Sequence, residues 1–230
     1  MSNKARDFLS KNESAVSDAE RRECVRRFFY SEEKFQGNQE DYYDPWNSCV
    51  NKVIERKVGI PISLAIVYFE MSRLLDLPVR LIGFPGHFLL DIGSEKELYL
   101  DPLHGVSLTR EDCLVLLQRS FGQESIMEES FFQVASPRKV LIRLLTNLKH
   151  IWVLGDDLQK AKTYCDSILS LDPKQADTLR DRGLILSRME RFQEAKLDFE
   201  NFLELSPDDR YAPVVKDELS KVQEILGNLQ

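Results

Sequence analysis

The sequence has few of the marks of a membrane protein, a secreted scaffold or a nucleic-acid binder. Its apolar runs all stop well short of the ~20 residues a membrane span needs. The N-terminus, MSNKARDFLSKNES, lacks the apolar core of a secretory signal. Only four cysteines occur, Cys24, Cys49, Cys113 and Cys165, scattered and without a C-x-x-C pair. That excludes a dense disulfide framework and points to reduced thiols. Basic residues are outnumbered, 31 against 38 acidic ones, for a net charge of −7. No positive field exists to hold nucleic acid or an anionic membrane surface. A cytoplasmic protein, with neither nucleic acid nor membrane as partner, is the expectation.

What is present is 43% apolar content over 230 residues, enough for one large or two small domains. The residues suited to chemistry gather between Gly59 and Pro102. Pro61 fits the first turn of a helix, where its missing N–H costs nothing, and the run Ile62 to Met71 is apolar nearly all round, so that helix must be central and buried. Leu77-Pro78 ends it. Strands are expected at Val79 to Phe84, His87 to Ile92 and Leu98 to Asp101, with Pro85-Gly86 turning the chain and Gly93-Ser94-Glu95 closing a hairpin.

That loop sets Asp91 opposite Glu97 and His87 opposite Asp101, about 5 Å apart at Cβ. Phe88, Leu90, Ile92, Leu98 and Leu100 then share an apolar face, while His87, Leu89, Asp91, Glu97, Tyr99 and Asp101 share the other. An imidazole beside a carboxylate is held in one tautomer, as acyl-transfer sites require, and Ser63 is the nearest nucleophile candidate. The bland alternative is a capping serine and a histidine–aspartate pair that ties strands together. His87, Asp101 and His104 also make a conceivable metal set, but with no further ligand nearby neither a metal nor another cofactor is assigned.

Upstream, residues 1 to 35 are charged and helical, with Val25, Phe28 and Phe29 as anchors, and a second helix is expected from Trp46 to Lys57 with Trp46, Cys49, Val50, Val53 and Ile54 as its apolar stripe. Asn47 and Asn51, one turn apart, are placed to orient backbone near the Gly59–Pro61 turn, or else simply face solvent. Cys49 reads as a buried, inert thiol. A further helix covers Thr109 to Phe121.

After Pro137 the pattern changes. Residues 142–175 and 176–209 align at a period of 34, matching Leu145 with Leu179, Trp152 with Leu186, Ala161 with Ala195, Cys165 with Phe199, Leu169 with Leu203, Leu171 with Leu205 and Pro173 with Pro207. That is tetratricopeptide spacing, and Ala212 to Leu226 reads as a capping helix.

Asn47-Ser48 with Asn51, the run Gly59 to Leu64, Pro85-Gly86-His87-Phe88, Asp101-Pro102 with Gly105, Arg143 to Lys149, and Asp181-Arg182-Gly183 together resemble the bacterial SirB-type family, in which a transglutaminase-like domain precedes tetratricopeptide repeats. The resemblance implies an α+β, papain-like first domain over residues 1–137, a central helix on an antiparallel sheet behind an N-terminal helical segment. An all-α module of two repeats and a cap over residues 138–230 would follow. It also implies a catalytic triad whose histidine and aspartate match His87 and Asp101 and whose cysteine is absent. Anchoring the comparison on Leu77–Arg80 puts Pro61 in the cysteine position; anchoring it on the helix start puts Ser63 there. The reading is an inactive transglutaminase-like scaffold that binds protein or peptide partners through its repeats. The alternative is a serine-dependent acyl-transfer or hydrolytic enzyme using Ser63, His87 and Asp101, supported by Asn47, Asn51, Pro61 and Gly86.

Overall fold

In a computed structural model the chain divides into two compact units, residues 1–140 and 141–230. Residues 7, 8, 10, 17–93 and 97–228 are described.

In the first unit, helix α1 (Asp18–Arg27) opens on a capping box: Glu20 N–H donates to the Ser17 hydroxyl and the Glu20 carboxylate accepts from Ser17 N–H. Val25, Phe28 and Phe29 are buried as expected, the last two in a π-helical turn, Phe28–Glu32. The expected helix from Trp46 to Lys57 is corrected. Asp44 and Pro45 start a short 3-10 turn, Pro45–Ser48, and Cys49 is extended (φ −92°, ψ 104°), so helix α2 begins only at Val50 and runs to Arg56. The stripe shrinks accordingly: Val53 is buried, whereas Trp46 and Ile54 are exposed.

Helix α3 (Pro61–Arg73) is the centre of the unit. Pro61 occupies its first turn, and Ile62, Leu64, Ala65, Val67, Tyr68 and Met71 are all buried. Each large apolar side chain among them contributes about 2 kcal/mol over leaving it exposed. Asp76, at φ +55°, turns the chain out of the helix ahead of Pro78.

The sheet is an antiparallel meander of β3 (Arg80–Ile82), β4 (Leu89–Asp91), β5 (Tyr99–Asp101) and β6 (Val106–Leu108), the last not foreseen. Helix α3 lies against β3 and β4. The opposite face is not polar: Leu89 and Tyr99 pack with Ile82 and Phe84 against Cys113 and Leu117 of helix α4 (Arg110–Phe121), which Thr109 caps. The register also differs from expectation. Asp91 pairs with Tyr99, not Glu97, and Leu90 with Leu100. Continued, this sets Leu89, not His87, opposite Asp101. Of the expected hairpin loop only Gly93 is described; Ser94 and Glu95 lie outside the described residues. A separate parallel pair joins β1 (Gln36–Gly37) to β2 (Val58–Gly59), which leads straight into α3.

The second unit is built from α5 (Pro137–Leu154) from Leu141 onward, α6 (Leu158–Leu171), α7 (Ala176–Arg188), α8 (Phe192–Leu205) and α9 (Ala212–Asn228). The 34-residue alignment holds in space at its core positions. Ala161 and Ala195 are both fully buried, as are Cys165 and Phe199. Gly183 admits the Phe199 ring, which a β-carbon would hit at about 2.5 Å. Its counterpart one repeat earlier is Lys149, 2% exposed and paired with Asp181. Arg182 spans three helices, forked onto Asp198 of α8 through two 2.7 Å bonds and reaching Asp166 of α6 at 2.8 Å.

Candidate functional site

The expected triad is not assembled through the hydrogen bonds its members make. Ser63, fully buried in the first turn of α3, accepts the Ile60 N–H at 3.1 Å and donates its one proton to the Asn47 carbonyl at 2.6 Å. Both bonds are to backbone. They fasten the start of α3 to the 3-10 turn, so the hydroxyl serves as a cap. Pro61, the other candidate for that position, is the half-buried first residue of the helix and has no nucleophilic atom.

His87 lies not on a strand but in the turn after Phe84, whose carbonyl accepts its N–H at 3.0 Å; Gly86 makes the turn at φ +71°. The ring Nε2 is 3.2 Å from Ser120 Oγ. Ser120 spends its own proton on the Leu116 carbonyl, so the imidazole is the donor.

Asp101 has another partner. Its Oδ2 accepts from His104 Nδ1 at 2.6 Å and its Oδ1 from the Leu103 N–H at 2.8 Å. The carboxylate is buried while about half of the His104 side chain is exposed. The turn is pinned from α1 and its π-helical extension: Tyr30 donates to the Pro102 carbonyl at 3.1 Å, and Arg26 to the Gly105 carbonyl at 3.1 Å. Burial, with Tyr68 and Asp101 nearby, pushes the Tyr30 phenol far up, so it stays a donor. Sequence reasoning paired Asp101 with the wrong histidine. The signal available was Asp101-x-x-His104 in a tight turn closed by Gly105.

Asn47 is fully buried and orients backbone, though at another place than expected. Its amide donates to the Asp41 carbonyl at 2.7 Å and the Tyr42 carbonyl at 3.3 Å, and it accepts from Asn38 Nδ2 at 3.2 Å. Asn51 is exposed. Among the described residues, no group of three or more histidine, cysteine or acidic side chains is placed to hold a metal ion, and no helix is long and apolar enough to cross a membrane.

The second unit carries a groove of about 550 Å3 between α5, α7 and α9, lined by His150, Val153, Arg180, Leu184, Arg188 and Glu218 among others. Arg180 is fixed by Asp177 and Asp181 and stacks 4.4 Å over Tyr211, and Arg188 pairs with Asp156. Burial, then the charge of Lys149, holds the His150 imidazole below its usual pKa, so it lines the groove uncharged at neutral pH. The groove is thus an apolar strip edged by two ion-paired guanidinium groups, with Asp181 and Glu218 beside them.

A central helix on an antiparallel meander, followed by helix pairs of fixed period, defines a transglutaminase-like domain joined to tetratricopeptide repeats. The family model described as transglutaminase-like superfamily matches residues 1–146, and one described as tetratricopeptide repeat matches residues 148–220. The chain belongs to the SirB-type UPF0162 family of that superfamily. A UPF0162 protein of Xylella fastidiosa (strain Temecula1) is 34% identical over 201 residues, covering 85% of this chain and 72% of that protein. A UPF0162 protein of Vibrio cholerae is 28% identical over 86% of this chain and 74% of its own length. F-box only protein 21 of Mus musculus is 29% identical over 170 residues, 68% of this chain but 26% of that protein.

Proposed function

We propose that the chain is a protein-interaction scaffold: the repeat groove docks an extended acidic peptide, and the transglutaminase-like domain is silent in acyl transfer. The observation that carries the second half is Ser63, sealed from solvent with its proton committed to the Asn47 carbonyl. A nucleophile needs a base within hydrogen-bond reach and access to a carbonyl carbon, and this hydroxyl is supplied with neither. The first half rests on the groove, whose Arg180 and Arg188 edge an apolar floor, and on the general use of tetratricopeptide repeats in protein–protein contact.

The test has two arms on the full chain. A fluorophosphonate probe followed by intact-mass measurement is expected to leave Ser63 unmodified; an adduct there, abolished by His87→Ala, overturns the silent domain in favour of the serine enzyme. Titration of isotope-labelled protein with an acidic peptide bearing one leucine is expected to shift the amides of Val153, Leu184 and Arg188 together, and Arg188→Glu to remove the response. Shifts scattered over the chain, or binding indifferent to Arg188→Glu, overturn the groove.

A further inference from the structure

A second surface, on the first unit, is built with more care than a loop requires. Strand β1 uses the amides of Gln36 and Asn38 on β2, donating to Lys57 O at 2.9 Å and Gly59 O at 3.0 Å. Strand alternation turns the N–H and C=O of Gly37 to the opposite edge. Along Gln36 to Glu40 runs a cleft of about 540 Å3, closed on another side by Leu103, which packs against Gly37 where no side chain stands in its way. Beyond it, Tyr43 and Trp46 are 58% and 53% exposed. They sit on a locked loop. Asn47 holds the Asp41 and Tyr42 carbonyls, Asn38 Oδ1 accepts the Asp41 N–H at 2.9 Å, and Asp44 Oδ1 accepts the Trp46 N–H at 3.0 Å.

We propose that this ledge, the outer edge of β1 with the Glu40–Trp46 loop, docks an extended peptide segment bearing a lysine or arginine side chain and adds it to β1 as a further strand. Charge selects the occupant. Glu40 and Asp41 are exposed carboxylates, while Arg56, which lines the cleft, is neutralised by Asp44 at 2.6 Å. Trp46 already draws the Lys52 ammonium to 5.7 Å from its ring centre with more than half of its surface still open, the environment an incoming cation uses. Because the loop is fixed before binding, little ordering cost offsets these contacts. Main-chain bonds to Gly37 supply register, and the aromatic and acidic side chains supply selectivity. The ledge is independent of the repeat groove.

The test is fluorescence anisotropy on the full chain with a labelled seven-residue peptide alternating lysine with valine or threonine. This peptide is expected to bind at least tenfold more tightly than its glutamate counterpart, and a version N-methylated at alternate amides to lose binding. Trp46→Ala and Glu40→Lys are each expected to weaken binding roughly three- to tenfold without moving the thermal midpoint. Arg188→Glu, in the groove, should leave it unchanged, so that failure of one site is distinguishable from failure of the other. No binding at millimolar peptide, equal binding of the glutamate peptide, or an unchanged affinity in the Glu40→Lys/Trp46→Ala double variant overturns the proposal. So does sedimentation showing that the ledge is instead covered by a second copy of the chain.

Discussion

Asp101 orients His104, not His87: the Oδ2 to Nδ1 bond is 2.6 Å between residues three apart in the chain. Replacing Asp101 by Asn removes the carboxylate that fixes the His104 tautomer. The ring nitrogen and proton resonances of His104 should move by NMR, and those of His87 should stay. Movement of His87 alone would restore the register expected from sequence.

Ser63→Ala strands the Ile60 N–H and the Asn47 carbonyl in a buried setting. An unpaired buried polar group costs about 1–3 kcal/mol, so the unfolding free energy should fall by that amount and the urea midpoint should move down with it. A midpoint unchanged within error would mean that the hydroxyl is not a cap.

Burial alone would raise the Asp181 pKa, but the Lys149 ammonium and the bonds from Lys149 and Arg180 more than offset it and hold the carboxylate below its usual range. A depressed folded pKa contributes stability that is full above the unfolded value of about 3.9 and lost as pH falls through the folded one. Stability measured by urea unfolding should therefore drop below about pH 4, and less steeply in Asp181→Asn. Parallel acid limbs for the two proteins would remove Asp181 from the account.

Gly183→Ala drives a methyl group into the Phe199 ring. Overpacking of this kind costs about 1–3 kcal/mol, and the double variant Gly183→Ala/Phe199→Leu should recover part of it. Calorimetry on the four proteins of that cycle reads the coupling directly.

Burial pushes the Cys113 and Cys165 thiols up to about 12, while Cys24 and Cys49 are only half-buried. Iodoacetamide at pH 8 should modify Cys24 and Cys49 in the native protein and reach Cys113 and Cys165 only in denaturant, as mass spectrometry would show. Native labelling of Cys165 would mean that the repeat core opens.

The central helix was legible because Ile62 to Met71 is apolar nearly all round, and the repeats because seven positions recur at one spacing. The hairpin register was not. A shift of two residues leaves every side chain on its own face, so the apolar pattern that placed Leu90 with Leu100 on one side is blind to whether Asp91 meets Glu97 or Tyr99. Only turn geometry decides that. The same blindness misassigned the histidine. The second face of the sheet carries Asp91 and Asp101, but Leu89 and Tyr99 between them are covered by α4, a packing partner that strand alternation alone does not name. The 3-10 turn at Pro45 was hidden for a different reason: the helical spacing of Trp46 to Ile54 continues unbroken through the extended backbone of Cys49.

The two repeats share a period but not a fit. Gly183 faces the large Phe199, whereas Lys149, at the matching position, lies close enough to Cys165 to act on its thiol. Bulk and space have changed places between the paired helices. A genetic crossover inside one repeat would therefore set Lys149 against Phe199, or leave Gly183 over Cys165 with nothing to fill the gap.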